Sequence, residues 1–600
     1  MNLQPLVTYY EQLEKENKVG SDEWSMAKVS YAITIDIEGK VKDILSLMRT
    51  ETRGKKTVLV PIERKVPQQK VRTSGISPNF MCDNAKYLLG AWLEEGEEKK
   101  DNQLRNKAKQ YFQASANYHI GLLEKIESPA AKSVCNFFRT WDFDRDKEIV
   151  TDSGSSIEEL LSATNLVFRS FETGKALQED EEIIKAWIQH FHEGISEVTG
   201  RCLITGKIAP MARLHPLIKG VRGAQASGAM LVSFNAAAFE SYNKIRGTNA
   251  PVSEYAAGAY GKALNYLLGI KNFHQVIGDT TIVYWSESGE EGYADMFAEL
   301  CEEQEEEDQD KIWKNVSDIA KGIPCQYKEI DINPETKFYI LGLAPNAARL
   351  SIRFFYQNSF GEVVHNIGEH YKRMEIKKPS YVKERYVPIE KVLFETVNKK
   401  SSKKEIQPIL VGGFMNSVLN NTRYPETIFT NIIIRIRADK DINYRRVGML
   451  KAFFIKNKPK FKEVVDTMEL NENTNNMPYL LGRLFEVLEH IQHETYRDIN
   501  TTIKDQFFVS ACATPMLVFP RLLKLSNSHM RVLKREKPGM YYSLTKQLEA
   551  LMGKFTESFP KQLSIEEQGI FIIGYYHQLQ KRFEKKEEKI TNKQEEQVNE

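Results

Sequence analysis

The sequence predicts an α+β protein of several domains, a mixed α/β body at the N-terminal end followed by a C-terminal helical bundle. Three observations predict it. Hydrophobic periodicity switches from helical to strand-like near the start of the chain, whereas from Pro478 onward only the helical period remains. The length of 600 residues also forces no single core, since domains of about 100 to 200 residues imply three or four of them, or fewer if one is large.

Residues 1–20 read as a helix with Leu3, Leu6, Val7, Tyr10 and Leu13 on one face, and Val29, Tyr31, Ile33, Ile35 and Ile37 then alternate as a strand. Glu38-Gly39-Lys40 is a turn that closes a hairpin onto Val41–Leu47, and Thr57–Ile62 is another short strand. Residues 84–125 and 155–198 read as helices. These elements make up an N-terminal α/β body over 1–286. Residues 287–312 are expected to be an acidic linker or exposed loop, since Glu287–Asp310 holds twelve acidic residues and no basic one. Tyr293, Phe297 and Leu300 still allow a short amphipathic helix there. A middle α/β region, 313–470, begins with a strand, a turn at Pro345-Asn346 and a second strand or helix within 337–357. After the polar spacer Asn471–Asn476, residues 477–600 form the bundle, with Leu480, Leu484, Val487, Leu488 and Ile491 on one face and later helices near 507–525 and 541–552.

Hydrophobic residues are 41% of the chain, enough for a globular protein, and 83 Lys and Arg against 81 Asp and Glu leave a net charge of +2. Any nucleic-acid binding must therefore come from local segregation of charge. Six cysteines lie singly with no CxxC, which excludes a Cys-only zinc ribbon and a dense disulfide framework and suits a reducing compartment. With no leader-like segment and no long uncharged apolar run, a cytoplasmic protein is expected.

Enzyme templates fail in turn. Gly174-Lys175 lacks the upstream glycine and the following Ser or Thr of a phosphate-binding loop, and Ser227 has no GxSxG frame. Of the histidine pairs 190/192, 365/370 and 490/493, only His490 and His493 have helical spacing, with Glu489 and Glu494 beside them, and a solvated helix face is the commoner outcome. No metal and no cofactor is expected. Three basic segments survive: Arg53–Arg72 with seven basic residues against Glu63; Val198–Phe239 with five basic residues and no acid; and Arg435–Lys462 with ten basic residues against Asp439 and Asp441, interleaved with Tyr444, Phe453, Phe454 and Phe461. Such residue types hold phosphates and read base edges. Gly220, Gly223 and Gly228 would let backbone approach a partner.

Five strings carry a resemblance: RTSGISPNFMCDNAKYLLG (72–90), CLITGKIAPMARLHPLIKGVRGAQASGAMLVSFNAAAFESYNK (202–244), NAPVSEYAAGAYGKALNYLL (249–268), IGDTTIVYWSE (277–287) and LGLAPNAARLSIRFF (341–355). In these, and in length and motif order, the chain resembles the large subunit of the type I-C CRISPR interference complex, Cascade. The resemblance implies a non-enzymatic subunit of a crRNA-guided complex that reads the protospacer-adjacent motif (PAM) on double-stranded target DNA, helps open the duplex, holds the R-loop and recruits a helicase-nuclease. The implied partners are the other Cascade subunits, crRNA and a small subunit made by internal translation of the same message, for which Met477 is the expected start and Met468 the fallback. Where many relatives carry an aromatic before the Asp-Asn pair, this chain has Cys82.

Guide pairing reads the long target in such a system, so the protein needs only a short duplex reader and a sequence-independent grip. Arg213, His215, Lys219, Arg222, Gln225, Ser227 and Asn235 are the leading candidates for duplex near the PAM. Lys70, Arg72, Thr73, Ser74 and Asn79 come next, then Arg349 and Arg353 as phosphate ligands or edge ion pairs. Arg435, Arg437, Arg445, Arg446 and Lys451 are expected to hold single-stranded nucleic acid or crRNA. The alternatives are a metal-dependent nuclease and a purely structural assembly subunit.

Overall fold

Pro5 sits in the first turn of helix α1 (Gln4–Lys15), where a missing N–H is harmless, and Leu6, Val7, Tyr10 and Leu13 are buried as their spacing requires. In this computed structural model the described residues are 3–16, 18–21, 23–53, 56–70, 72, 75–152, 154, 156–193, 198–302, 306–496 and 501–598. The expected hairpin is present: β1 (Tyr31–Ile35) pairs antiparallel with β2 (Val41–Ser46). At its turn the Lys40 N–H donates to the Asp36 carboxylate at 2.8 Å.

The α/β body continues with β3 (Cys82–Asp83), α2 (Glu98–Leu123), α3 (Pro129–Thr140), β4 (Leu166–Ser170) and α4 (Glu181–Glu193). Its sheet runs β2-β1-β4-β3, with β1 and β4 parallel from Tyr31↔Leu166 to Ile35↔Ser170. A parallel pair demands a long crossover, and the connection from β1 to β4 contains α2 and α3. Ile33, Ile35, Phe137, Phe168 and Trp187 share the core beneath it. β4 corrects the helix expected over 155–198. Leu166-Val167-Phe168 is a short apolar run, which periodicity alone cannot separate from a buried helix segment. Beyond it come two hairpins, β5 (Thr199–Arg201) with β6 (Ile208–Pro210) and β7 (Leu217–Ile218) with β8 (Ala229–Met230), and then α5 (Glu254–Gly269).

The chain divides into two compact units, Met1–Lys219 with Gln225–Tyr266, and Gly220–Ala224 with Leu267–Glu600. In the second, β9 (His274–Ile277), β10 (Thr280–Ser286), helix α6 (Glu291–Cys301), β11 (Lys337–Asn346) and β12 (Arg349–Ser359) give an antiparallel run β9-β10-β11-β12. The boundary expected after residue 286 is corrected accordingly: β10 pairs with β11 from Thr281↔Leu343 to Ser286↔Phe338, so a cut there would part a strand from its partner. The acidic linker is corrected in the same way. Tyr293, Met296, Phe297 and Leu300 of α6 are buried, while Asp295 and Glu299 meet Lys328 at 3.4 and 2.9 Å. Burial of the apolar positions decides the helix, and a cation from downstream neutralises part of its acidic face.

Helices follow: α7 (Phe360–Met374), α8 (Glu426–Asp439), α9 (Tyr444–Asn457), then α10 (Met477–Thr495), α11 (Ile503–Ala513), α12 (Pro515–Glu536), α13 (Pro538–Met552) and α14 (Ile565–Val598). The Asn476 side chain caps α10 by accepting the Tyr479 N–H at 3.2 Å. α10 is the core of the bundle, buried on nearly all sides. Gly482 of α10 faces the Phe571 carbonyl of α14, and Gly574 of α14 faces the Tyr479 carbonyl of α10. A Cβ on either would overlap the opposing backbone, so the two glycines set a close crossing. The bundle does not stand apart from the middle region. Gly569 packs on Phe429 and Phe454, the Tyr576 hydroxyl donates to Lys377 O at 2.7 Å, and Lys458 pairs with Glu566 at 2.9 Å. Among the described residues no helix is long and apolar enough to cross a membrane.

Candidate nucleic-acid interface

The acid-free segment is held by backbone and by buried side chains, which leaves its charged side chains outside. Cys202 Sγ accepts N–H groups from Ile204 at 3.4 Å, Thr205 at 3.5 Å and Ser253 at 3.2 Å, tying the β5–β6 hairpin to the loop before α5. The Lys219 N–H donates to Asn265 Oδ1 at 2.8 Å, and Asn265 Nδ2 donates to Leu217 O at 3.0 Å. β7 is thereby fixed to α5. The ten residues between β7 and β8 carry Lys219, Arg222, Gln225 and Ser227, all exposed. Gln225 O accepts the Gly228 N–H at 2.9 Å in a tight turn. Gly228 has φ +106° and lies against Leu217 and Ile218, a place closed to any side chain. In the second unit the Arg222 N–H donates to Thr281 Oγ1 at 3.1 Å. Arg213 and Asn235 are also exposed.

His215 is corrected. Only 4% exposed, it bonds through Nδ1 to the Tyr260 hydroxyl at 2.7 Å, and burial lowers its pKa to about 4. It is a neutral core histidine, turned away from the exposed side chains of the segment.

The 70–79 segment is organised around Asp83, which is 1% exposed. Arg72 makes a two-pronged pair with that carboxylate and donates Nε–H to Ser77 O at 2.6 Å. Its guanidinium also lies 4.1 Å over the Tyr87 ring. Asn79 and Asn84 add backbone N–H donors to Asp83, each at 2.8 Å. Burial pushes Asp83 up, against the pull of Arg72 and these N–H groups. Asn79 is itself buried, accepting the Lys70 N–H at 2.9 Å and donating to Gln69 at 2.8 Å. Arg72 and Asn79, expected at the DNA, are engaged in shaping the loop. Lys70 has an exposed stem, but its ammonium end lies 4.3 Å over Tyr118, and desolvation with Arg72 nearby lowers its pKa. Thr73 and Ser74 lie outside the described residues. Cys82 is fully buried opposite Val167, a core position with no face for a base.

Arg353 takes the edge-pair option, its Nη2 3.2 Å from Asp279; Arg349 is half-buried, opposite Asn346 in register.

The densest basic segment is corrected most. Arg446 is fully buried, with Nε on Glu395 at 2.9 Å, Nη2 on Asp439 at 2.8 Å and Nη1 on Asp441 O at 2.9 Å. Arg435 pairs with Asp439 at 3.4 Å and Arg445 with Glu384 at 3.2 Å. Lys451 is 2% exposed and donates to Glu375 O. Arg437 is half-buried. Phe453 and Phe454 are core, stacked and edged on Phe429. Local composition reads a basic patch there; the folded chain contains an internal ion-pair network.

A further basic face lies on α12, and composition alone signals it. From Pro515 to Arg535 the sequence has no acid, and on α12 Arg521, Lys524, Arg531, Lys534 and Arg535 are all exposed while Val518, Phe519, Leu522, Met530 and Leu533 are buried. The freedom from acids that draws attention to 198–239 holds here as well.

Three of the paired histidines have ordinary partners. His190 meets the Tyr118 hydroxyl at 3.2 Å, and His370, buried and lowered to about 3 by burial, meets the Tyr424 hydroxyl at 2.8 Å. His490 lies 3.7 Å from Glu494. Among the described residues no three His, Cys, Asp or Glu side chains are grouped to hold a metal ion.

A search of curated proteins gives no match. The family described as CRISPR-associated protein (Cas_Csd1) matches residues 6–583, nearly the whole chain and all five strings of the resemblance. This chain belongs to the Cas_Csd1 family of CRISPR-associated proteins, that of the type I-C Cascade large subunit.

Proposed function

We propose that this subunit reads the PAM on duplex DNA through the loop between β7 and β8, helps open the duplex, holds the displaced strand and recruits a separate helicase-nuclease. The observation that carries the reading is the exposure of Lys219, Arg222, Gln225 and Ser227 on one backbone-anchored loop inside a 42-residue stretch without a carboxylate. Gln and Arg read base edges; Lys and Ser grip phosphate. The basic face of α12 takes over the single-strand role first given to 435–462, because its cations point outward. The subunit does no chemistry itself in this reading, and translation from Met477 supplies the small subunit.

The test compares binding of assembled complexes to duplexes with and without the correct motif. Gln225→Ala and Arg222→Ala should each cost ~1–3 kcal/mol of discrimination. Lys219→Ala should weaken both duplexes alike and lower the salt slope by about one. Equal discrimination in all variants rejects the reader assignment.

A further inference from the structure

Helices α10, α13 and α14, with the loop before α10, enclose a cavity of 310 Å³ in the C-terminal bundle. Its wall divides by chemistry. Arg483, Lys554, Lys581 and Arg582 supply cations, and among the described lining residues Glu472 is the one carboxylate. Val487, Met540 and Leu551 form an apolar side, and Ser543, Gln547 and Gln578 bring hydroxyl and amide groups.

Arg483 is the informative member. It is 9% exposed, donates Nε–H to Gln578 Oε1 at 3.0 Å and reaches Asn471 O at 3.5 Å; among the described residues no carboxylate lies within ion-pair distance of it, and Glu472 acts on it only at longer range, against the penalty of burial. Buried charges are ordinarily paired, because an unpaired one is costly. Arg582 does not lessen the local charge. Its neighbour Glu486, 3.6 Å away, is pushed up to about 8 by burial against the pull of Arg582, so this carboxyl is largely protonated at neutral pH. A buried cation with spare donors, further cations around the same space and an apolar wall opposite describe a ligand with an anionic end and a flat apolar body.

We infer that this cavity binds a nucleotide, its phosphate held by Arg483 and Lys554 and its base laid against Met540 and Leu551. The volume lies at the small end of ligand pockets, about 300–1,000 Å³, and suits a single nucleotide. The nucleotide is either free or one member of a single strand turned out of its stack; the recognising chemistry is the same. The inference does not rest on duplex reading by the β7–β8 loop, which is in a different part of the chain.

The experiment is equilibrium dialysis of AMP against the full-length protein, with inorganic phosphate and a ten-residue oligothymidylate as competitors. AMP should bind with half-saturation below ~1 mM, and inorganic phosphate at the same concentration should not displace it. Displacement by the oligothymidylate identifies the strand source; its failure identifies free nucleotide. Arg483→Met should weaken AMP at least about tenfold. Ser543→Glu, which places a negative charge at an exposed position of the rim without touching the core, should do the same and serves if Arg483→Met does not fold. Absence of AMP binding, equal competition by inorganic phosphate, or AMP binding unchanged by Ser543→Glu would each overturn the inference.

Discussion

Arg446 and Arg445 are neighbours in sequence and opposites in energetics. Arg446 is fully enclosed between Glu395 and Asp439, so removing it strands two carboxylates of low exposure. Arg446→Met should destabilise the protein by ~3–5 kcal/mol in urea unfolding. Arg445→Ala, from a side chain 28% exposed on Glu384, should cost clearly less. Similar shifts for the two would refute the network. Charge reversal at this pair consequently tests stability before it tests nucleic-acid binding. Of its two partners, Asp439 lies seven positions away inside the basic segment itself, whereas Glu395 lies 51 positions upstream, farther than a composition window reaches. His215 failed for a related reason, since Tyr260 is 45 positions away and an exposed and a buried histidine look alike in a string. Glu486 gives a pH signature. Its carboxyl is raised from 4.5 to about 8 by burial, so between those values the native state keeps a proton that the unfolded state releases, and its contribution to stability falls as pH rises through that window. Glu486→Gln keeps a neutral amide at every pH. The melting temperature of this variant minus that of wild type should increase from pH 5 to pH 9; a flat difference would mean that Glu486 is ionised in the fold.

On α12, five exposed cations from Arg521 to Arg535 extend along roughly 21 Å of helix at 1.5 Å per residue, a length over which several phosphates of a strand can be met. Replacing Arg521, Lys524 and Arg531 by Glu together should shorten R-loop lifetime and flatten its salt dependence by about one unit per lost phosphate contact, with the fold intact because none of the three is buried. Unchanged lifetime removes α12 from the interface. The crossing of α10 and α14 depends instead on what is absent: Gly482→Ala or Gly574→Ala should destabilise by at least ~1–3 kcal/mol, the range for overpacking a dense core, and thermal unfolding that matches wild type would contradict the close approach. At this scale the sequence was informative wherever one period ran long enough. The amphipathic α1, the β1–β2 hairpin and the helices after Pro478 all follow from spacing. β4 did not, since it is only five residues long, and α6 did so in part: the spacing of Tyr293, Phe297 and Leu300 allowed the helix, while the acids around them favoured a linker.

For the whole molecule, a net charge of +2 with acids and bases segregated along the chain leaves room for the proposed nucleic-acid contacts in a protein that is neutral in bulk. The internal network consumes much of the basic content of 435–462, while the β7–β8 loop and α12 keep their cations exposed. The five motif strings identified the family from sequence because they are long. Which of their residues face outward was a tertiary question, and the buried His215, Cys82 and Asn79 show that a shared motif marks the core as readily as the interface. The proposed start at Met477 coincides with the first residue of α10. Met477→Ala in the gene should remove a 124-residue species from the purified complex, as read by mass spectrometry, and persistence of that species refutes this start. A bundle made alone would also expose Gly569 and its surroundings, which Phe429 and Phe454 cover in the full chain. The central claim is that the β7–β8 loop meets the PAM. The most direct measurement places a photo-crosslinking residue at Gln225 in the assembled complex and maps the adduct on target duplex: crosslinks to the motif base pairs should form and should vanish when the motif is scrambled, whereas crosslinks to crRNA or to a neighbouring subunit with none to the motif would place this loop elsewhere.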